Sequence, residues 1–300
     1  MFTKPTNCPN SECRFRRGPE GAEKLYGTSR FYTKMGYFRR RSDRRAVPRY
    51  RCRSCGKSFS SQTHSPTYRQ RRPDVNGIVF RLLCSGVTMR RTALVVGVNK
   101  STIERKMAWL ADRARAIHDE RLASGGLNTS LVQFDELQTF EHTRLKPVSI
   151  AVAIRVKTGE VIDVDVAMMS SFGAMVRRTR ELYPEWRETR RGARESVFRS
   201  VAKCAKPGVT IKTDESRHYP PIIDRLVPGA RIEQHLSPGN DDHPCPDGFD
   251  PMFKLNHLFA KMRQDMSRLF RSTWATTKTL AGLYNHLMLY IAWQNRYTIT

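Results

Sequence analysis

The sequence predicts a multidomain protein: a small cysteine-stapled ribbon at the N-terminus, a short all-α segment, and a larger α/β domain built on a mixed sheet. Three observations predict it. Two close cysteine pairs lie ahead of residue 56, a helix–glycine turn–helix pattern follows, and from Leu131 three consecutive strand patterns give way to helix–strand alternation. Three hundred residues are too many for one small core and suit two or three domains.

Charge narrows the partner. The chain carries 53 Lys+Arg against 28 Asp+Glu, a formal net charge of +25, and the stretch from Met1 to Pro73 alone holds 19 Lys+Arg against 4 Asp+Glu. Positive charge gathered at one end is the footprint of a phosphate-backbone binder. There is no run of eighteen apolar residues, no charged-then-apolar leader, no basic amphipathic helix and no lipidation motif. The expectation is therefore a soluble cytoplasmic, nucleoid-associated protein with double-stranded DNA and no membrane as partner.

The first element is the ribbon, residues 1–66. Of seven cysteines, Cys84, Cys204 and Cys245 stand alone and read as inert thiols, while "CPNSEC" presents Cys8 and Cys13, and "RYRCRSCGKSFS" presents Cys52 and Cys55. Two tight turns with two sulfurs each supply the four corners that Zn²⁺ wants, and Gly56 suits the second knuckle. Between the pairs, Tyr and Phe alternate with arginine, predicting a hairpin sheet too thin to stand without metal. Arg39, Arg40, Arg41, Arg44 and Arg45 are its candidate phosphate contacts.

The second element, residues 67–125, reads as three helices. Ile78, Leu82 and Leu83 mark one, closing at Ser85-Gly86; Met89 to Val96 makes the next; Gly97-Val98-Asn99 turns the chain into a third with Ile103, Met107 and Leu110 inward. A helix opening on polar and basic residues after a glycine turn is the helix-turn-helix pattern, with Lys100, Ser101, Thr102, Arg105 and Lys106 toward the major groove. Any three-helix bundle shares the pattern. "ASGGLN" at 123 to 128 then reads as a linker.

The third element, residues 126–300, begins with "LVQFDELQTF", "PVSIAVAIRV" and "EVIDVDVAMM", three strands joined by short turns. A helical region broken near Pro184, a strand "GVTIKTDES", a helix "PPIIDRLV" and a strand "ARIEQHL" follow. Three antiparallel strands and then alternation is the order of an RNase H-like sheet, in which the first and fourth strands are neighbours. Asp135 in the first and Asp214 ending the fourth would then meet and share divalent metal, Mg²⁺ or Mn²⁺, which explains a carboxylate in an apolar strand. Glu136 points to the opposite side and is expected at the surface or supporting the site from behind. "SPGNDDHPCPDGFD", with His243 and Cys245, reads as a solvated loop. Trp274 and the apolar run "LAGLYNHLMLYIAW" read as a terminal helix packing on the sheet.

Taken together, "CPNSEC…RYRCRSCGKSFS", "GVNKSTIERK", "FDELQTF", "TDES" and "LNHLFAKMRQDMSRLFRSTWATTKTL" resemble the transposases of bacterial insertion sequences in the insertion-sequence-one superfamily. The resemblance covers nearly the whole chain. It implies binding to terminal inverted repeats, strand cleavage by water, joining of the freed 3′-hydroxyl to target DNA, and a homo-oligomer assembled on DNA. It also implies a third ligand on the helix after the sheet, usually glutamate. The matching helix, expected from about Pro251 to Phe270, offers Asn256, with Arg263 seven residues on where relatives carry a basic residue. Helical periodicity puts both at the edge of the apolar stripe and Asp265 on the solvated side. Asn256 as an internal cap or hydrogen-bonder is the alternative. Rival functions are a catalytically inactive or domesticated DNA-binding protein and a nuclease that cuts without joining.

Overall fold

In the N-terminal unit a sheet too small to bury a core of its own closes around sulfur and aromatic rings. The computed structural model describes residues 4–40, 44–235, 250–271 and 273–299, and the chain divides into two units, Met1–Val75 and Asn76–Thr300. After a short helix α1 (Ala22–Tyr26), β1 (Tyr32–Arg39), β2 (Ala46–Cys52) and β3 (Ser58–Ser60) form an antiparallel sheet in that order. Tyr32, Tyr50 and Phe59 pack with Phe15 and Phe31 from the preceding loops and with Cys8, Cys13 and Cys52. Ring centroids 4.8 Å apart for Tyr32 and Tyr50, at 70°, are an edge-to-face pair. Gly56 takes a left-handed backbone (φ 70°), and its N–H closes the turn onto the Cys52 carbonyl.

The second unit starts with three helices, α2 (Asn76–Leu83), α3 (Met89–Val96) and α4 (Lys100–Ala123). Thr88 caps α3 through a hydrogen bond from the Arg91 N–H, and Asn99 caps α4 through one from the Ser101 N–H. Between α2 and α3, Gly86 (φ +75°) donates its N–H to the Asp265 carbonyl, and a Cβ there would meet the Gln264 carbonyl at 3.1 Å. These helices are not a separate body: α4 runs 24 residues and packs along α9 (Leu280–Gln294).

The sheet is mixed, ordered β6-β5-β4-β7-β8, from β4 (Thr129–Phe140), β5 (Pro147–Arg155), β6 (Glu160–Met168), β7 (Ala205–Asp214) and β8 (Arg231–His235). β4, β5 and β6 are antiparallel, while β7 and β8 run parallel to β4, as an RNase H-like core requires. α5 (Met175–Leu182) and α6 (Arg190–Cys204) flank Pro184, and α7 (Pro220–Leu226) links β7 to β8. Both faces of the sheet bury apolar residues: on one, Val132, Phe134, Ala151, Ala153 and Ile211 pack against Val197, Phe198 and Val201 of α6, and on the other Leu137, Ile150, Val152 and Ile154 are buried. The last two helices are α8 (Phe253–Asp265) and α9.

Three expectations need correcting. The helix expected from Pro251 to Phe270 is shorter, ending at Asp265. Asp265 is not on a solvated side: it is partly buried and accepts from Tyr290 Oη at 3.1 Å. Trp274 does not pack on the sheet but stands fully exposed between α8 and α9. Cys84 and Cys204 are buried thiols, whereas His243 and Cys245 lie outside the described residues. No helix among the described residues is long and apolar enough to cross a membrane.

Candidate functional site

The two cysteine knuckles converge. Cys8 and Cys55 sulfurs are 3.6 Å apart, Cys13 and Cys52 sulfurs 3.7 Å, and all four lie within 4.8 Å of one another. Four thiolates each about 2.3 Å from a tetrahedral zinc stand about 3.8 Å apart, so the donor set and the spacing both fit a structural metal. Without one the thiols crowd each other. Burial pushes Cys8 and Cys52 up. At Cys55 burial also acts upward, but the Lys57 N–H and the Asn10 side chain outweigh it and hold the thiol at about 7. Arg39, Arg40, Arg44 and Arg45 flank the β1–β2 turn, Arg39 at the end of β1, and Arg40 and Arg45 are joined by a backbone hydrogen bond. Arg41 lies outside the described residues.

The acids of β4 separate onto opposite faces, as strand alternation demands. Glu136 enters the apolar α6 side, and it is not a surface group. Arg194 Nε and Nη2 both donate to its Oε2, at 2.9 and 2.6 Å, Tyr219 Oη adds a third bond to the same oxygen, and Ser149 Oγ donates to Oε1. Its side chain is only 8% exposed. A carboxylate so placed among apolar residues is tolerated because a guanidinium and two hydroxyls satisfy it.

Asp135 lies on the other face, with no such compensation. The parallel register pairs Gln133 with Lys212, and continuing it by two residues brings Asp135 alongside Asp214. The β7–β8 register then sets Asp214 opposite His235 and Lys212 opposite Glu233. This face therefore carries a polar row, and α8 is fastened over it by Gln133: its amide donates to the Pro251 carbonyl at 2.7 Å and accepts from the Leu255 N–H at 3.0 Å. Among the described residues neither Asp135 nor Asp214 forms a salt bridge. Each accepts one backbone N–H, from Glu136 and Ser216. Burial, with Asp214 and Glu136 close by, pushes the Asp135 carboxyl up to about 7, and burial, with Glu136 nearby, raises Asp214 too. Two neighbouring carboxylates facing a buried, unneutralised site offer the hard oxygen donors that Mg²⁺ and Mn²⁺ take, so the residues fit a divalent cation.

Asn256 sits one turn into α8, and its amide nitrogen donates to Asp250 Oδ2 at 2.8 Å, which is the internal hydrogen bond of the alternative reading. Asp250 was not singled out by sequence reasoning. It also accepts from the Met252 N–H at the start of α8, a local Asx signature that "DPMFK" does carry. Arg263 lies two turns further on, its pKa lowered by burial and by Arg271. At the start of α4, Lys100 pairs with Glu104 at 2.6 Å, Ser101 Oγ donates to the Asn99 cap, Arg105 Nε donates to the Ser101 carbonyl, and Thr102 lies beside Arg105. Lys106 is a correction. It is buried and donates to Asn76 Oδ1 at 2.6 Å, because its place between Ile103 and Leu110 puts it on the inward stripe of α4.

Fold and site together define an α/β protein with a paired-carboxylate face, preceded by a four-cysteine module. No protein-family model matches the sequence, and no curated protein matches it. Among solved structures, the chain is similar to the catalytic domain of the Mos1 mariner transposase, at 13% identity and a TM-score of 0.28, over 64% of this chain and 90% of that one. It is also similar to a simian T-cell lymphotropic virus intasome in complex with PP2A regulatory subunit B56 gamma, at 15% identity and a TM-score of 0.30, over 72% of this chain and 64% of that one. Likenesses at this level say nothing of activity, and the functional reading rests on the residues.

Proposed function

We propose that this chain is a divalent-metal-dependent transposase that binds the terminal inverted repeats of an insertion sequence and cleaves and joins DNA strands there. One observation supports the reading: Asp135 and Asp214 stand on the same face of adjacent parallel strands, and among the described residues neither forms a salt bridge. Glu136, by contrast, has an arginine of its own, and the buried Asp163 of β6 is held by the Ser200 hydroxyl.

Asp135 and Asp214 would hold Mg²⁺ or Mn²⁺, which when bound activates an attacking oxygen and stabilises a leaving one in phosphoryl transfer. Asn256 is the third donor in this reading. With its nitrogen committed to Asp250, its amide oxygen is the atom left for a cation. Arg263 would meet the phosphate undergoing attack. The Glu136–Arg194–Tyr219 cluster holds β4 against α6 and so fixes where Asp135 stands. DNA binding falls to the zinc ribbon (1–66), through Arg39, Arg40, Arg41, Arg44 and Arg45, and to the helix-turn-helix (67–125), through Lys100, Ser101, Thr102 and Arg105. The catalytic domain is 126–300. The protein works as a homo-oligomer on transposon-end and target DNA in the cytoplasm.

The Asn256–Asp250 bond favours a second reading, a domesticated DNA-binding protein that has lost catalysis. Incubating the protein with the DNA flanking its own gene and Mg²⁺ separates the two. End-specific 3′ nicks followed by joined products are expected, and intact DNA at protein concentrations that saturate the ends would defeat the catalytic reading.

A further inference from the structure

The ribbon carries a cleft that the catalytic reading does not use, lined from both sides of its sheet. Strand alternation puts Phe38, Arg49, Ser58 and Ser60 on one face of the sheet, since Phe38 pairs with Val47 and Arg49 pairs with Ser60, and Pro9 and Phe59 from the cysteine side complete the lining. The chain after β3 folds back over it. The Ser61 N–H bonds the Pro48 carbonyl, Thr63 Oγ1 accepts from the Ser60 N–H, and the Tyr68 N–H bonds the Ser65 carbonyl. The result is a cleft of about 410 Å³ walled by the rings of Phe38 and Tyr68, with Arg49, Lys57 and Arg69 around it.

Three features point to its ligand. Both rings are accessible, Phe38 at 39% and Tyr68 at 46%, although a ribbon this short of apolar material has every reason to bury them. Among the described residues three cations line the cleft and no acid does. Arg69 holds a left-handed backbone (φ 65°), a conformation costly for any side chain but glycine, and its guanidinium lies 5.5 Å from the Tyr68 ring centre. Aromatic faces beside uncompensated cations, with serine and threonine hydroxyls at the floor, match one chemistry: a planar base with a phosphate next to it. A base inside a duplex keeps its faces stacked on its neighbours, so only an unpaired one can use such rings.

We propose that this cleft binds one unpaired nucleotide of a single DNA strand, its base on Phe38 and Tyr68 and its phosphate on Arg49, Lys57 and Arg69. The proposal rests on the chain being a DNA binder and not on its catalysis. In the transposase it gives the ribbon a grip on frayed or cleaved ends that duplex contacts at the hairpin turn do not supply.

The test is fluorescence anisotropy of the full, zinc-loaded chain, without added Mg²⁺, against labelled oligodeoxythymidine of about eight nucleotides, a size within the span of small single-strand sites. A duplex of equal length and thymidine monophosphate as competitor complete the set. Replacing both rings (Phe38→Ala with Tyr68→Ala) is expected to weaken single-strand binding by about tenfold, as the loss of a stacking platform does, and to change duplex binding by less than about twofold. Arg69→Gln, which leaves both rings in place, is expected to weaken the single strand in the same direction. Equal losses on duplex and single strand, or no loss, would overturn the proposal. Competition by thymidine monophosphate at the strand's own concentration would also overturn it, by making a free nucleotide the ligand. Asp135→Asn is expected to keep the single-strand affinity. If the catalytic reading fails, therefore, the ribbon result still stands or falls by itself.

Discussion

The two units of this protein each gather groups that a metal takes, and they do so in opposite places. In the ribbon the four thiols belong to the core: three of them are buried, and the aromatic cluster is wrapped around them. In the α/β unit the two carboxylates stand in a polar row on the sheet face opposite α6, outside the cluster that α6 and α7 seal. A metal in the first place holds the fold. In the second it has nothing to hold, and the fold carries the cost of keeping the site ready.

The largest expected effect lies on the ribbon side. Stripping zinc, or changing Cys52→Ser, should unfold residues 1–75, since structural zinc sites of this kind contribute on the order of 10–16 kcal/mol of apparent binding energy. Melting of the α/β unit followed by circular dichroism should remain. A single transition lost or kept as a whole would break the comparison.

Next comes the buried ion pair. Arg194→Met leaves Glu136 charged with only hydroxyl partners, and a destabilisation of roughly 3–5 kcal/mol is expected in urea melts of the second unit. Changing Glu136 and Arg194 together to apolar residues of similar size should cost much less, which would confirm that the single change is expensive because it strands a charge.

A smaller effect of opposite sign is expected at Asp135. Its folded carboxyl titrates at about 7, above its usual value of 3.8, so the folded state holds the proton more tightly than the unfolded one. The metal-free unit should therefore lose stability as pH rises from about 4 through about 7. Asp135→Asn removes the penalty and should stabilise the metal-free protein at pH 8 by roughly 1–3 kcal/mol, with little change at pH 4. Melts at both pH values check it, and a destabilised variant at pH 8 would contradict it.

Order and type of the strands and helices were legible because each rests on local pattern: the run of strand formers in "PVSIAVAIRV", buried on both faces, the turn at Gly97-Val98-Asn99, the break at Pro184. That β4 and β7 are neighbours, which brings Asp135 near Asp214, was expected from the RNase H-like order of the strands. Less was legible wherever a side chain's partner is distant in sequence. Glu136 looks like Asp135 until Arg194, 58 residues on, claims it. Asp265 looks solvated until Tyr290 of α9 reaches it. Lys106 was misjudged for a different reason: its charge drew it to the DNA side, although its spacing from Ile103 and Leu110 already turned it inward. Asp250 escaped because its role is to hold Asn256, an interaction made only once α8 forms.

The smallest effect concerns charge alone. Neutralising Arg39, Arg40, Arg41, Arg44 and Arg45 should flatten the slope of log affinity against log salt by about 0.9 for each phosphate that these arginines no longer neutralise, for all duplex sequences alike. Arg105→Ala should instead change sequence preference with a nearly unchanged slope. An unaltered slope after removing the five would place the phosphate-binding surface elsewhere.

The claim on which the contrast between the units depends is that Asp135 and Asp214 together take a divalent cation. Titration of the zinc-loaded protein with Mn²⁺, followed by electron paramagnetic resonance of the free ion, tests it most directly. Binding is predicted in the wild type at pH 8, weaker at pH 6 as the Asp135 proton competes, and lost in both Asp135→Asn and Asp214→Asn while each variant stays folded. Mn²⁺ binding that survives unchanged in both variants would contradict the account.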